Sequence, residues 1–169
     1  MNQTRPKRAP GPTKCLHCGG NTVRLRARPG RTIRYKTFSA LPLPADLAIP
    51  TCSRCRAEYV DEETAQRLDG ILPDLYLAEL RRSAHESIRT LRGHISQRKL
   101  ELRIGLSQGY LSRLITDAGR PSPALVLLLA QLAQDPTSRL SEVDRFWARL
   151  PPSEDLQHIQ RRTHPNFRK

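Results

Sequence analysis

Four cysteines are the residues of this sequence best suited to chemistry, and they form two matched pairs. Two residues separate Cys15 from Cys18, and the same spacing separates Cys52 from Cys55 after a long intervening segment. Two Cys-x-x-Cys pairs supply four thiolates, the set that tetrahedral Zn²⁺ prefers in structural sites. The sequence therefore predicts a structural zinc site with all four cysteines as ligands.

Three other interpretations of the cysteines stay open: a dithiol redox motif, an iron site and free thiols. A redox dithiol needs one accessible pair beside a suitable helix N-terminus, whereas two matched pairs favour one shared metal ion. A structural ion also suits a unit too small to bury much surface, because metal binding supplies folding free energy of order 10 kcal/mol.

A second candidate site lies in residues 96–113, which predict two short helices joined by a glycine. Ser96 is placed to cap the first helix, Gly105 to end it, and Ser107 to cap the second helix. Apolar residues at helical spacing form one side of the two helices: Leu100, Ile104, Leu111, Leu114 and Ile115.

The opposite side of the second helix is polar and suits the DNA major groove. Arg113 can bond guanine through two hydrogen bonds, and Gly109 lets the backbone approach closely. This segment resembles the helix-turn-helix of the Xre/Cro class, in which the second helix contacts base edges. The predicted DNA-binding residues are Gln97, Arg98, Ser107, Gln108, Gly109, Tyr110, Ser112, Arg113 and Thr116.

Different contacts are expected from the two helices. The candidates for base contacts are Arg113, Gln108 and Ser112, whereas Gln97 and Arg98 begin the preceding helix and are expected to hold phosphates. Glu101 stands where the Xre/Cro class usually places a small residue. The alternative for the whole segment is an ordinary helical hairpin.

The composition limits the classes of partner. A formal net charge of +13 over 169 residues predicts a polyanionic partner, which is nucleic acid, an acidic protein surface or anionic lipid. No apolar run approaches the ~20 residues that cross a bilayer, and we find no apolar signal-peptide region. We therefore expect a cytoplasmic protein. Because no Ser/His/Asp or Cys/His grouping stands out, we expect no catalytic residues and no enzymatic activity.

The segment between the cysteine pairs predicts a β-hairpin. Residues 22–28 and 31–38 alternate polar and apolar side chains, and Pro29 and Gly30 form a turn between them. One face of this hairpin carries only basic residues, so it either binds an anion or is an ordinary solvated face. The residues are Arg24, Arg26, Arg28, Arg34 and Lys36.

The remainder of the chain predicts helices. A short helix over 61–70 closes at Gly70, and Pro73 opens a longer helix that joins the metal unit to the helix-turn-helix. Ser122 caps an apolar helix over 123–133, which we expect to be buried on all sides. A final helix over 141–150 forms either a dimer seam or an internal core contact through Val143, Phe146, Trp147 and Leu150.

These elements predict a mainly α chain with a small β zinc-binding unit. We expect an N-terminal four-cysteine zinc finger with a β-hairpin, followed by a C-terminal five-helix Xre-like helix-turn-helix domain. The predicted divisions are a flexible basic arm (1–14), a zinc-binding domain (15–70), a linker helix with the helix-turn-helix domain (71–150) and a basic C-terminal tail (151–169).

This layout resembles the MqsA-type antitoxins, whose N-terminal part is a YgiT-type zinc finger. The resemblance rests on the paired cysteines, the strand-rich insert, the linking helix and the segment Leu-Ser-Gln-Gly-Tyr-Leu-Ser-Arg, and it covers residues 15–136. It implies a zinc-stabilised unit that holds a toxin and a dimeric unit that represses a promoter. It also implies that Arg113, in the pair Ser112 and Arg113, contacts bases.

The leading hypothesis is a homodimeric repressor of the type II antitoxin kind that binds a palindromic operator and regulates its own operon. Each protomer would place residues 107–116 in a major groove, with half-sites ~34 Å apart. One alternative is a zinc-finger interaction module that binds and neutralises a toxin protein. Another is an RNA-binding zinc-ribbon protein that stacks bases on Tyr35 and Phe38.

Overall fold

A computed structural model of the chain describes residues 13–116 and 118–150. Within these ranges the elements are β1 Thr13–Lys14, β2 Asn21–Ala27, β3 Thr32–Tyr35, β4 Phe38–Pro42, β5 Ala48–Cys52, α1 Glu62–Arg92, α2 Gln97–Arg103, α3 Tyr110–Ile115, α4 Pro123–Gln134 and α5 Pro136–Arg149. The predicted fold class, mainly α with a small β unit, is confirmed.

The chain divides into two compact units, Met1–Leu80 and Arg81–Lys169. The predicted basic arm and basic tail lie outside the described residues, except that Thr13–Lys14 form strand β1. Among the helices of the described ranges, none is long and apolar enough to cross a bilayer.

The β-strands of the first unit form two small antiparallel sheets. Strand β2 is central in a three-stranded sheet of order β1-β2-β5, and β3 pairs with β4 in a separate sheet. The predicted hairpin of residues 22–28 with 31–38 is therefore wrong. Gly30, at φ +76°, does turn the chain, but it leads from one sheet to the other. Strand β5 offers β2 the better partner, because four of its five residues are buried.

Arg31, a residue that sequence reasoning missed, fixes the turn between the two sheets. Its side chain is only 3 % exposed. Its guanidinium donates to the carbonyl oxygens of Arg26 at 2.7 Å and Leu47 at 3.1 Å. It also donates to the Thr51 hydroxyl at 2.9 Å and to the Glu58 carboxylate at 3.0 Å. A buried cation is stable here because its donors meet an anion and three neutral acceptors.

The basic residues assigned to one face of the hairpin are all exposed. Because β2 and β3 belong to different sheets, these residues do not form a single sheet face. They are Arg24, Arg26, Arg28, Arg34 and Lys36.

Helix α1 is one helix of 31 residues and not the two shorter helices predicted. Gly70 and Pro73, the predicted end of one helix and start of the next, both lie inside it. Burial of one apolar face along the helix offsets the local cost of glycine and proline. The stripe on this face is Leu68, Leu72, Tyr76, Leu80, Ala84, Ile88 and Leu91.

The second unit has a core drawn from all five helices and from the α1–α2 connection. The predicted apolar side of the two short helices lies in or against this core, which confirms that part of the pattern. The buried core residues are Ile88, Leu91, Ile95, Leu100, Leu111, Leu114, Leu129, Leu132 and Leu140.

Helix α4 begins as predicted but is not buried on all sides. The Ser122 hydroxyl accepts a hydrogen bond from the Leu125 backbone N–H at 3.2 Å, which caps the helix. Leu127 and Leu128, however, are 61 % and 39 % exposed. The prediction of complete burial is therefore wrong, because one side of α4 remains uncovered within the described part of this unit.

Helix α5 is longer than predicted. It begins at Pro136 and not at residue 141, and the Asp135 carboxylate caps it by accepting from the Ser138 N–H at 3.2 Å. Its apolar residues Phe146 and Trp147 are about half exposed. The predicted start is too late because Pro136 was expected to end the preceding helix, whereas proline is also well suited to the first position of a helix.

Candidate metal centre and nucleic-acid interface

The four cysteines of the first unit converge on one point. All four Sγ atoms lie within 4.8 Å of one another. The Cys15 and Cys55 sulfurs are 3.6 Å apart, and those of Cys18 and Cys52 are 3.7 Å apart. A tetrahedron of sulfurs at ~2.3 Å from zinc has edges of about 3.8 Å, so this donor set fits one four-sulfur metal site.

The two cysteine pairs are held by matching backbone turns. The Gly19 N–H donates to the Cys15 carbonyl at 2.8 Å, and the Arg56 N–H donates to the Cys52 carbonyl at 3.0 Å. Gly19 and Arg56, each following the second cysteine of its pair, have φ of +74° and +62°. Glycine adopts this conformation freely, whereas arginine is held in it by the surrounding structure.

Hydroxyl groups support the first cysteine of each pair. The Tyr59 hydroxyl lies 3.0 Å from Cys15 Sγ, and the Thr22 hydroxyl lies 3.0 Å from Cys52 Sγ. The Tyr59 contact lowers the pKa of Cys15. The Cys55 backbone N–H and the Thr22 hydroxyl lower the pKa of Cys52 to about 5. Both sulfurs are therefore stabilised as thiolates, the form that binds metal.

Cys55 shows the electrostatic conflict among the sulfurs. The Ala57 N–H lowers the pKa of Cys55, but burial and hydrogen bonds with the neighbouring cysteines outweigh that contact and raise it to about 12. Thiolates packed this closely repel one another, and a divalent cation removes that repulsion. The chemistry of the donors thus fits a bound metal ion.

Sequence reasoning identified the four cysteines but missed the residues that support them. Tyr59 packs against the small cluster that contains Cys15 and Cys52. The alternation of Ala57 and Tyr59 directly after the second pair is the signal that would have indicated a further extended segment. An isolated bridge between Thr51 and Glu58 forms there.

In the second unit, α2 and α3 meet across a short glycine-containing turn. Gly105 has φ +72° and ends α2 as predicted. Ser96 occupies the N-cap position of α2, but its side chain makes no capping hydrogen bond. The predicted cap at Ser107 is wrong, because α3 begins at Tyr110 with Gly109, at φ +78°, in the N-cap position.

Glu101 caps α3 in place of a serine. Its carboxylate is buried, and it accepts from the backbone N–H groups of Gly109 and Leu111, both at 2.9 Å. The Gln97 side-chain amide donates to it at 3.1 Å. Burial raises the pKa of Glu101, but these hydrogen bonds together outweigh burial and hold the pKa below its usual value. The residue that departs from the Xre/Cro pattern therefore fixes the first turn of α3 as a carboxylate.

Most of the predicted DNA-binding residues reach solvent. Ser112 and Arg113 are exposed on α3, and the Arg113 guanidinium lies 5.6 Å from the centre of the Tyr110 ring. Gln97 is half-buried, and its amide donates to the Ser112 hydroxyl oxygen at 2.6 Å. The other exposed members of the set are Arg98, Ser107, Gln108 and Thr116, and the half-buried members are Gly109 and Tyr110.

Comparison with protein families identifies this segment. Residues 87–133 match the model of a family described as helix-turn-helix. Residues 87–133 form a helix-turn-helix domain. This domain runs from the last turns of α1 to the end of α4 and is of the kind found in DNA-binding regulators. No curated protein and no solved structure matches the chain.

An apolar groove lies beside the helix-turn-helix domain, between α4 and α5. It has a volume of about 400 Å³ and is lined in part by Leu128, Leu132, Val143 and Phe146. The Trp147 indole N–H donates to the carbonyl of Arg103 at 2.7 Å, which ties α5 to the end of α2. The exposed apolar side of α5 is thus held in place by a contact inside the unit.

Proposed function

We propose that the protein is a sequence-specific DNA-binding transcriptional repressor. One observation carries the proposal: α3 presents Ser112, Arg113 and Thr116 to solvent on a helix-turn-helix domain. In such domains the second helix of the motif, here α3, enters the major groove. Arg113 then donates two hydrogen bonds to guanine, and Gln108 and Ser112 contact neighbouring bases.

Phosphate contacts supply the affinity that does not depend on sequence. Arg98 is exposed at the start of α2, where a positive side chain can meet the DNA backbone. The net charge of +13 adds long-range attraction to DNA. Binding is therefore expected to weaken with salt, with a slope of about −0.9 for each phosphate neutralised.

Selection from a randomised duplex library tests sequence-specific binding. The full-length, metal-loaded protein is expected to enrich one sequence. Arg113→Ala is expected to weaken binding to that sequence by about 1–3 kcal/mol and to change binding to random duplex little. Arg34→Ala, an exposed arginine of β3, removes the same charge in the other unit and serves as the control. Equal losses on both duplexes for Arg113→Ala would assign this residue to the backbone, and failure to enrich any sequence would refute the proposed function.

We propose that the repressor binds its operator as a homodimer through α5. Phe146, Trp147 and Leu150 are each about half exposed along this helix, and burying them in a second copy is favourable. A two-fold dimer would read a palindrome. Sedimentation of the wild type and of Phe146→Glu tests this: the variant should be monomeric, and a wild-type monomer would contradict the dimer.

We propose that Cys15, Cys18, Cys52 and Cys55 hold one structural Zn²⁺. The sulfur distances and the hydroxyl partners support a closed four-sulfur site. Bound zinc would cross-link the two matching turns and supply folding free energy to the small sheets.

We propose that the repressor is an antitoxin of the type II kind that regulates its own operon. The order of the elements, with a four-cysteine unit before a helix-turn-helix domain, supports this through the resemblance to MqsA-type antitoxins. The first unit would then hold a toxin protein. Co-expression with the product of the adjacent gene should give a complex, and its release on chelation would place the toxin on the metal unit. The RNA-binding alternative has less support, because Tyr35 and Phe38 pack against the ring of Tyr76.

A further inference from the structure

Phe146 lies between an apolar groove and a charged cleft on the outer side of α5. The groove separates α4 from α5 and is lined mostly by apolar residues of these two helices. The cleft has a volume of about 290 Å³ and is lined by Phe146 and by three charged residues, Glu142, Arg145 and Arg149. All four of these residues are exposed. The apolar surface of α5 therefore has a charged border along one side.

The charges on this border follow a self-complementary order. Glu142 and Arg149 are seven residues apart, which is two helical turns or about 10 Å, so they lie on the same side of α5. Phe146 is near the midpoint between them. A two-fold axis beside Phe146 would set two copies of α5 antiparallel, with Glu142 of each copy level with Arg149 of the other. A parallel pair would instead place like charges level with each other.

The surroundings of Arg149 favour a carboxylate from another molecule. Within the described part of the chain Arg149 has no ion-pair partner, whereas Glu142 pairs with Arg139 at 2.9 Å. Arg145 and Arg149 are four residues apart on the helix, a spacing at which like charges repel. A carboxylate of a second copy beside them would offset that repulsion. The Glu142 side chain is 46 % exposed, so it can reach a guanidinium outside its own chain.

We propose that two copies of α5 pack antiparallel around Phe146 and that Glu142 of each copy pairs with Arg149 of the other. Phe146 and Leu150, each about half exposed in one copy, would form the apolar centre of the seam. Burial of these side chains supplies most of the affinity, and the two ion pairs fix the orientation and register of the helices. This inference rests on the proposed homodimer and specifies how its two copies meet.

Charge reversal tests the antiparallel order. Neutral substitutions would remove only a weak exposed attraction, so the variants are Glu142→Arg, Arg149→Glu and the double variant of the full-length, metal-loaded protein. Sedimentation equilibrium measures the dimer dissociation constant of each. Each single reversal should raise that constant by about 10- to 100-fold, because two attractive pairs become repulsive. The double variant should return close to the wild-type value, because both pairs are restored.

The two single variants also control for net charge. Glu142→Arg raises the net charge by two and Arg149→Glu lowers it by two, so a general effect of charge would move their dissociation constants in opposite directions. Mixed in equal amounts, the two variants should form a heterodimer, which native mass spectrometry detects. One copy then carries two positive side chains at these positions, and the other copy carries two negative ones.

Arg139→Gln is the matched control within the helix. It removes the partner that Glu142 has in its own chain and should not weaken the dimer. A loss equal to that of Glu142→Arg would assign the effect to this internal pair and overturn the inference. Circular dichroism verifies that each variant keeps its helix content.

The wild-type protein separates the two possible failures. A wild-type dimer whose dissociation constant is unchanged by both single reversals would overturn the antiparallel seam and leave the proposed homodimer standing. A double variant as weak as the single ones would likewise overturn the seam. A wild-type monomer would instead refute the proposed homodimer itself, and the inference with it.

Discussion

The carboxylate of Glu101 lies among three hydrogen-bond donors, so its charge state governs the first turn of α3. Two of the donors are backbone N–H groups at the start of that helix, and the third is the Gln97 amide. A protonated carboxyl would lose acceptor capacity at the oxygens to which these donors point. The exposed polar side of α3 is thus held by a group that lies beneath it.

The stability of the second unit is expected to depend on pH through Glu101. The pKa of Glu101 is lowered in the folded chain, so its contribution is complete above its unfolded value of about 4.3 and is lost as pH falls through the folded value. Glu101→Gln should cost about 1–3 kcal/mol at pH 7, because the amide cannot accept at both oxygen positions. Thermal unfolding at a series of falling pH values should show a gap between wild type and variant that is constant above the unfolded value and narrows as pH falls below it.

A surface carboxylate provides the control for this pH profile. Glu142 is exposed and pairs with Arg139 at 2.9 Å, and Glu142→Gln should change stability little at any pH. A gap for Glu101→Gln that does not narrow at all as pH falls below the unfolded value would show that the carboxylate charge is not what stabilises α3.

At the residue scale, the exposed side of α3 could be predicted from the sequence, but the residues that support it could not. Helical periodicity separates Arg113 and Ser112 from the apolar residues, and that separation depends only on local geometry. The contact of Glu101 with Gly109 depends on the angle between two helices, which is set by left-handed backbone at Gly105 and Gly109. Sequence spacing does not give this angle, so the cap was assigned to the nearest serine.

Helix α1 carries a proline eleven residues from its start. Pro73 has no N–H to donate to the carbonyl of Asp69, and it is exposed, so it contributes little packing. We expect Pro73→Ala to stabilise the helix by about 2 kcal/mol, after allowing for the greater freedom that alanine gives the unfolded chain. Chemical denaturation of the metal-loaded protein measures the difference.

The neighbouring exposed residue offers a control for the proline prediction. Asp74→Ala changes helix propensity by only about 0.5 kcal/mol and should shift stability by no more than that. Unchanged or lower stability in Pro73→Ala would show that the proline serves the helix in some other way, for instance by fixing a bend.

At the element scale, the sequence predicted which residues are extended or helical better than which elements join. Alternation marked β2 correctly and β3 only in part, because the predicted strand 31–38 turns at Lys36 and Phe38 begins β4. Alternation also carries no information on partners. The buried Arg31 separates the two strands, and its acceptors come from Arg26, Leu47, Thr51 and Glu58. Likewise Gly70 and Pro73 are local breaking signals, and only the apolar stripe on both sides of them shows that α1 continues.

Metal removal is expected to affect the two units differently. Beside the cysteines, the cluster around the metal site buries Val23, so the turns and strands that carry the cysteines depend on the ion for folding free energy of order 10 kcal/mol. Elsewhere the first unit buries Leu41, Ile49 and Leu68. The second unit has its own core of nine buried residues. Chelation should therefore collapse the dispersion of the amides around the four cysteines in an NMR spectrum and leave the unfolding temperature reported by Trp147 unchanged.

Trp147 is the only tryptophan of the chain, which makes its fluorescence specific to the second unit. Cys15→Ser should reproduce the effect of chelation, and Ser53→Ala, next to a ligand but with its side chain exposed, should not. Amide dispersion that survives the loss of metal would show that the small sheets fold without the ion.

At the scale of the whole molecule, the sequence predicted the two chemical centres because each is defined by short spacing. Two Cys-x-x-Cys pairs and one glycine between amphipathic helices are local signals, and the structure brings the four sulfurs together and packs the helices on one core. The open side of α4 was not predicted, and α5 was left between a dimer seam and an internal contact, because an apolar helix face looks the same in a sequence whether a protein covers it or solvent does.

The link from Glu101 through Gln97 to Ser112 also sets the size of the smallest piece that can be transplanted. A chimera that receives only Tyr110–Ile115 would inherit the side chains of α3 and leave behind the carboxylate and amide that orient them. Transplanting the whole segment from Gln97 to Ile115 should transfer the operator preference to the recipient protein. A chimera that receives α3 alone would still bind DNA but would lose the preference for the operator sequence.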